Sequence, residues 1–261
     1  MPNESHQLHA PRRLNSVGNA LRVLALLAEN PDGLGVSELA TRLGLGKSTA
    51  HLLLATMADH DFVERRGNGT YRLGIAAFEV GSAVPESSRF GGALAVPMRR
   101  IADRSGEAVS LAIHRGRDAI IVQRFESASV LRAEIRIGTR MPVHSCGSGK
   151  LFLSEMDADE LDAMFPTDSL PAITRYTLRT KAALLRQLED VRKQGYATTD
   201  EEYHDEVRGI AVPVRDRHGR IAAALSVAGP VSRFKPWDWL DELNDAAGHL
   251  SETLGTRPSG M

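Results

Sequence analysis

Two glycine turns restrict the first quarter of the chain more than any other feature. Gly44-Leu45-Gly46 separates two short segments with helical periodicity, and Gly67-Asn68-Gly69 separates two strand-like ones. Upstream, Val17, Ala20, Leu21, Leu24, Leu27 and Ala28 recur at helical spacing, which predicts an amphipathic helix over 16–29, ended by Asn30-Pro31-Asp32-Gly33. A second helix is expected at 37–43, with Ser37 as N-cap and Leu39, Ala40 and Leu43 on its buried face. A third runs from Lys47 to Asp59 and buries Ala50, Leu53, Leu54 and Met57. Residues 62–66 and 70–73 flank the second glycine turn and read as a hairpin.

Two helices joined by a tight turn form a unit whose second helix can enter a DNA major groove. Once the buried positions of the third helix are removed, Lys47, Ser48, His51, Leu52 and Ala55 face outward, and the candidates for DNA on this helix are Lys47, Ser48, Thr49, His51 and Leu52. Lys47 and Ser48 stand at the helix N-terminus, where free N–H groups and the dipole favour a phosphate. Arg65, Arg66 and Arg72 project from the hairpin, and Arg12 and Arg13 precede the first helix, within reach of the DNA backbone or minor groove. Any three-helix core with a hairpin shows the same pattern, and residues 1–73 hold eight Lys/Arg against seven Asp/Glu. Placement, not bulk charge, points to nucleic acid.

A 261-residue chain accommodates about two domains. After a connector helix expected at 74–84 and a longer helix at 88–104 containing Pro97, the texture changes to short strands at 108–114, 118–125, 130–137, 207–214 and 220–228. Helical stretches at 148–154, 157–164 and 180–194 and a final helix at 237–254 complete it. Interspersed strands and helices with hairpins at both ends predict an α+β domain on an antiparallel sheet. The expected organisation is an arm at 1–14, a winged helix-turn-helix at 15–73, linker and dimerisation helices at 74–105 and a sensor domain at 106–255. One cysteine, a polar N-terminus and the lack of any ~20-residue apolar run lead us to expect a cytoplasmic protein without a membrane span.

The segment His144-Ser145-Cys146-Gly147-Ser148-Gly149-Lys150 leads into an apolar helix start. Its small residues let backbone N–H groups approach a ligand, with a carboxylate the natural guest; a turn capped by Ser145 or Ser148 fits the same residues. A phosphate-binding loop does not fit, because His144 stands where its first glycine belongs and Leu151 replaces the Ser/Thr that would bind magnesium. Cys146 with His144 suggests a thiol nucleophile or redox sensor, though no third group is identifiable. Glu201, Glu202, His204 and Asp205 can supply metal ligands but read more simply as a solvated loop, and Trp237 and Trp239 as packing or oligomer contacts.

Several ordered segments resemble one family. Ser16-Val17 with Ala20-Leu21-Arg22-Val23-Leu24, Val36-Ser37-Glu38-Leu39-Ala40 and Lys47-Ser48-Thr49-Ala50-His51 are similar to the IclR family of bacterial regulators. So are Gly138 to His144 before Gly147-Ser148-Gly149-Lys150, the Asp200-Glu201-Glu202 run, Arg208 to Val214, and Ala223 to Pro230. The resemblance implies a winged helix-turn-helix joined by a linker helix to a GAF-like antiparallel-sheet sensor domain. It also implies a homodimer or homotetramer on a palindromic double-stranded operator, repression controlled by a small carboxylate effector, no cofactor, no metal and no catalysis. By resemblance the effector site comprises Val130, Ala133, Met141, Cys146, Gly147, Ser148, Thr199, Gly209, Ser226 and Ala228. Strict alternation places Val130 and Ala133 on opposite strand faces, so a bulge is expected there. Leu52 stands where relatives often carry arginine; leucine cannot donate to a guanine edge but can touch a thymine methyl. Two rivals remain: a thiol-based redox sensor or enzyme using Cys146, and a module whose winged helix makes only protein contacts.

Overall fold

The computed structural model describes residues 14–82, 95–125 and 135–255. The chain divides into two compact units, residues 1–85 and 86–261. Arg12, Arg13, Val130 and Ala133 lie outside the described residues.

In the first unit α1 spans Asn15–Glu29, α2 Val36–Leu43 and α3 Lys47–Asp59. Asn30 ends α1 by donating its side-chain amide to the Leu26 carbonyl at 2.7 Å, and Pro31 cannot continue the helix. Gly35, not Ser37, is the N-cap of α2; Ser37 lies inside the helix, its carbonyl accepting from Thr41 Oγ1 at 3.0 Å. Gly44 closes α2 in the left-handed region at φ 66°, letting Leu45 N–H bond back to Ala40 O at 2.8 Å. The chain therefore turns within three residues and α3 starts at once. Strands β2 (Val63–Arg65) and β3 (Thr70–Leu73) form the hairpin, and a short β1 (Leu34–Gly35), which periodicity does not signal, pairs with β3. Val23, Leu27, Leu39, Leu43, Leu54, Met57, Val63 and Tyr71 fill one core. Leu53 is only half-buried. α4 (Ile75–Ser82) follows the hairpin and carries exposed Ile75, Phe78 and Val80.

The second unit holds α5 (Ala95–Ser105), which has Pro97 in its first turn, where a missing N–H costs nothing. The strands are β4 (Ala108–Arg115), β5 (Asp118–Phe125), β6 (Arg140–Pro142), β7 (Ala197–Asp200), β8 (Val207–Arg215) and β9 (Ile221–Pro230). They pair antiparallel in the order β6-β5-β4-β9-β8-β7. Residues 135–137, expected at the end of a strand, run irregularly into a turn instead. The helices are α6 (Gly147–Ser154), α7 (Ala158–Met164), α8 (Lys181–Gln194) and α9 (Leu240–Gly255); a 3-10 turn, Pro236–Trp239, takes the place of the last helix's expected start.

Strand alternation gives this sheet two unlike faces. Val109, Leu111, Ile210, Val212, Val214, Ala223, Leu225 and Val227 point to one side and pack under Met98 and Ile101 of α5 and Leu243 and Leu250 of α9. Their neighbours Ser110, Ala112, Gly209, Ala211, Ala224, Ser226 and Ala228 point to the other. Leu151 and Phe152 of α6 and Val191 of α8 cover part of that side. Short side chains leave space where the helices do not reach.

Candidate functional site

That space is a cavity enclosing about 590 Å³ between its walls, open solvent at the mouth included. Met141, Cys146, Gly147, Ser148, Thr199, Gly209, Ser226 and Ala228, scattered over 88 positions of sequence, all line it. Ser110, Ile121, Arg124, Ile135, Tyr203, His204 and Val207 line it too and are absent from the sequence-nominated set.

The floor consists of two rows that cross the strands. One runs Arg124–Ser110–Ser226–Ala211 through β5, β4, β9 and β8; the other runs Ala228–Gly209–Thr199 through β9, β8 and β7. Arg124 Nη1 donates to Ser110 Oγ at 2.8 Å, and Ser226 Oγ donates to the Ser110 carbonyl at 3.3 Å. Arg124 escapes simple reading of β5 because it stands three residues from Ile121, which alternation would place on the opposite face. The register shifts opposite Leu111/Ala112, so Ile121 pairs with Ala112 while Arg124 pairs with Ser110. Val122 is the extra residue and packs with Phe125 in the α5/α9 core.

The loop before α6 is used differently from expectation. Ser145 and Ser148 cap nothing: Cys146 is the N-cap residue, with no side-chain cap bond, and Ser145 Oγ donates to the Pro142 carbonyl at 2.9 Å. A Cβ at Gly149 would collide with the Val143 backbone, so this glycine serves close packing rather than ligand approach. Of the loop, Cys146, Gly147 and Ser148 reach the cavity.

Cys146 is buried, and loss of hydration pushes its thiol up to about 12. His144 Nε2 bonds the Pro171 carbonyl at 2.9 Å, its ring sits edge-on to Phe165, and burial holds its pKa below the usual histidine value. The pair is thus not arranged as nucleophile and base. The acidic run is also not a solvated loop throughout. Glu202 is buried against Lys150 at 2.5 Å, Glu201 accepts from Glu206 N–H at 2.8 Å, and His204 bonds the Asp205 carbonyl at 2.7 Å. Among the described residues no group of three His, Cys, Asp or Glu can hold a metal. Trp239 packs on the α5/α9 core under Arg104, and Trp237, 58% exposed, meets Tyr196 edge-on.

On the first unit, Lys47, Ser48, Thr49, His51 and Leu52 share the solvent side of α3, opposite buried Ala50, Leu54 and Met57. Leu52 is 70% exposed on this side. Arg65, Arg66 and Arg72 are exposed on the hairpin, but not equivalently. Arg72 is ion-paired to Glu64 across the strands, Arg66 Nη1 donates to the Asp32 carbonyl at 3.1 Å, and the Arg65 side chain has no hydrogen-bond or ion-pair partner among the described residues.

A helix-turn-helix with a wing, followed by an antiparallel-sheet unit with a cavity on one face of the sheet, defines a helix-turn-helix transcription regulator of the α+β type. Residues 16–67 match the family model of the IclR helix-turn-helix domain, and residues 92–252 that of the bacterial transcriptional regulator IclR C-terminal domain. The chain belongs to the IclR family of bacterial transcriptional regulators. It is 32% identical over 228 residues to the transcriptional repressor IclR of Escherichia coli, covering 86% of this chain and 83% of that protein. It is 34% identical over 225 residues to the acetate operon repressor of Salmonella typhimurium, covering 85% and 82%. Among solved structures, an IclR homolog complexed with 4-hydroxybenzoate from Microbacterium hydrocarbonoxydans aligns with a TM-score of 0.81 at 25% identity, covering 92% of this chain and 98% of that one.

Proposed function

We propose that this chain is a repressor whose hold on an operator is controlled by a small organic acid bound in the cavity of the second unit. The observation that carries the reading is the convergence on one cavity of eight sequence-nominated residues from β6, the α6 loop, β7, β8 and β9. The solved relative with 4-hydroxybenzoate supports an acid as the class of ligand. On this reading α3 enters the major groove, with Lys47, Ser48 and Thr49 on phosphate and His51 and Leu52 on base edges. Arg65, Arg66 and Arg72 follow the backbone from the wing, and Arg12 and Arg13 from the arm. Two or four copies bind a palindrome, with residues 74–105 linking reader and sensor. Exposed Ile75, Phe78 and Val80 support an apolar contact at that linker. The neutral, buried Cys146 and the separately engaged His144 support a binding protein rather than a redox sensor or enzyme. No described helix is long and apolar enough to cross a membrane, in keeping with a DNA partner in the cytoplasm.

Operator binding measured by fluorescence anisotropy, with and without a panel of acids, tests the whole reading. A steep loss of affinity with salt and a shift of the operator curve by at least one acid are expected. An affinity flat in salt, or one that no acid shifts, overturns it.

A further inference from the structure

The cover of the cavity is built differently from its floor. The floor is sheet, whereas Tyr203 and His204 come from the turn between β7 and β8. β6 and β7 are opposite edges of the sheet, yet Tyr203 packs on the cluster that holds Ile121 of β5, Met141 of β6 and Cys146. The turn therefore reaches across the small-residue face. Burial first, and then the neighbouring Cys146 thiol and Asp118 carboxylate, raises the Tyr203 phenol above its ordinary value, as expected of a ring shut in against the far edge.

Both ends of this turn are fixed and its tip is not. Glu201 N–H donates to the Val207 carbonyl at 2.8 Å, Glu206 N–H to Glu201 Oε2 at 2.8 Å, and Val231 N–H to the Glu206 carbonyl at 2.9 Å. Thr174 Oγ1 holds the Glu201 carbonyl at 2.7 Å, and Lys150 holds the Glu202 carboxylate at 2.5 Å. Tyr203, His204 and Asp205 make no hydrogen bond outside residues 201–207 among the described residues. Glu201 and Glu206 stand at φ 60° and 61°, two of the three described non-glycine residues in the left-handed region. Strain of that kind is released when the segment between them moves. Lifting the turn also rehydrates Lys150 and Glu202, including the unpartnered Glu202 Oε2, which offsets the apolar contact that Tyr203 gives up. A closed and an open position thus lie close in free energy.

We propose that residues 201–206 form a lid over the cavity: Glu201 and Glu206 are its hinges, Tyr203 its cover, and the Lys150–Glu202 pair the latch that holds it shut. A ligand enters and leaves when the latch parts. The inference rests on the reading of the cavity as the effector site, but its test uses no effector, so its failure leaves that reading standing.

Cys146 reports the motion, because it is buried and lines the cavity that the lid covers. The test is alkylation of the full native chain with iodoacetamide at pH 8, followed by mass spectrometry, in urea kept well below the unfolding midpoint. Opening a lid exposes little surface, so the slow labelling of the wild type should be nearly flat in urea, whereas access through global unfolding climbs steeply. Tyr203→Ala should speed labelling about tenfold at an unchanged urea midpoint, the effect of losing a half-buried ring. Tyr203→Phe should match the wild type, and it is the folded reference if the alanine variant is unstable. Lys150→Met with Glu202→Leu, an apolar latch with no hydration to regain, should label more slowly than the wild type. Wild-type labelling that climbs with urea from the outset, or equal rates for wild type and a folded Tyr203→Ala, overturns the lid. A double variant that labels as fast as the wild type overturns the latch.

Discussion

Lys150 Nζ lies 2.5 Å from Glu202 Oε1, with 1% and 8% of the two side chains exposed. The contact ties α6 to the turn between β7 and β8, whose next residues, Tyr203 and His204, line the cavity. Thr198 O takes a second, longer bond from Lys150 at 3.4 Å, and Thr177 Oγ1 donates to the Glu202 carbonyl at 2.7 Å. Glu202 Oε2 is buried with no hydrogen-bond partner among the described residues. Attraction at short range opposes a large loss of hydration on both ions, so the pair is worth more for the placement of the turn than for net stability.

Lys150→Met leaves a buried carboxylate alone and should cost about 3–5 kcal/mol, whereas Lys150→Met with Glu202→Leu should recover much of that. Burial already raises the Glu202 carboxyl above its ordinary range, with Lys150 opposing the rise. Without the lysine the native state holds a proton that the unfolded chain releases above about pH 4.3, so the variant loses stability as pH rises and regains it on acidification. Urea midpoints from pH 5 to 8 check this; parallel curves for variant and wild type would mean the pair carries no such linkage.

With its thiol near 12, Cys146 should resist iodoacetamide at pH 8 in the folded protein and react at an ordinary rate once the chain is unfolded in urea. Mass spectrometry of the alkylated chain gives the answer, and rapid labelling of the native protein would reopen the thiol chemistry.

On DNA, Arg65→Ala should weaken binding to operator and scrambled duplex alike and reduce the slope of log K against log salt by about 0.9, the loss of one phosphate contact. Arg72→Ala should do less, because Glu64 already engages that guanidinium. Anisotropy titrations at four salt concentrations separate the two, and an Arg72 effect as large as that of Arg65 would contradict the ranking.

Ala228→Leu fills one end of the cavity and should abolish the ligand response while operator binding persists. Gly147→Leu is a poorer probe. A Cβ there would sit 3.3 Å from both the Ala197 carbonyl and the Ala211 Cβ, so the domain itself should be destabilised. Thermal midpoints alongside ligand titrations distinguish the two; equal midpoints for both variants would refute the packing argument.

The helix-turn-helix was readable because Leu39, Leu43, Leu54 and Met57 keep strict helical spacing and Gly44 marks the turn. The loop residues Cys146 to Ser148 and the small residues of β8 and β9 were nominated by resemblance, and the structure gathers them into one cavity. Arg124 was not legible, since the β5 bulge breaks the alternation by which a face is assigned. The Lys150–Glu202 pair joins residues 52 positions apart and has no local signature: a lysine beside glycines and a glutamate in an acidic run both look exposed. Strands of two to four residues, β1, β6 and β7, are too short to show a period.

The unlike faces of the sheet bear on how such a sensor can change over generations. In β4, β8 and β9 adjacent codons specify opposite sides, so a single-base change such as alanine to valine at position 211 or 228 adds bulk only on the ligand side. Each such step alters the room for a ligand by two methyl groups, at about 0.8 kcal/mol of burial per carbon, while Val212, Leu225 and Val227 stay packed beneath α5 and α9. The ligand side and the folding core are thus open to change separately.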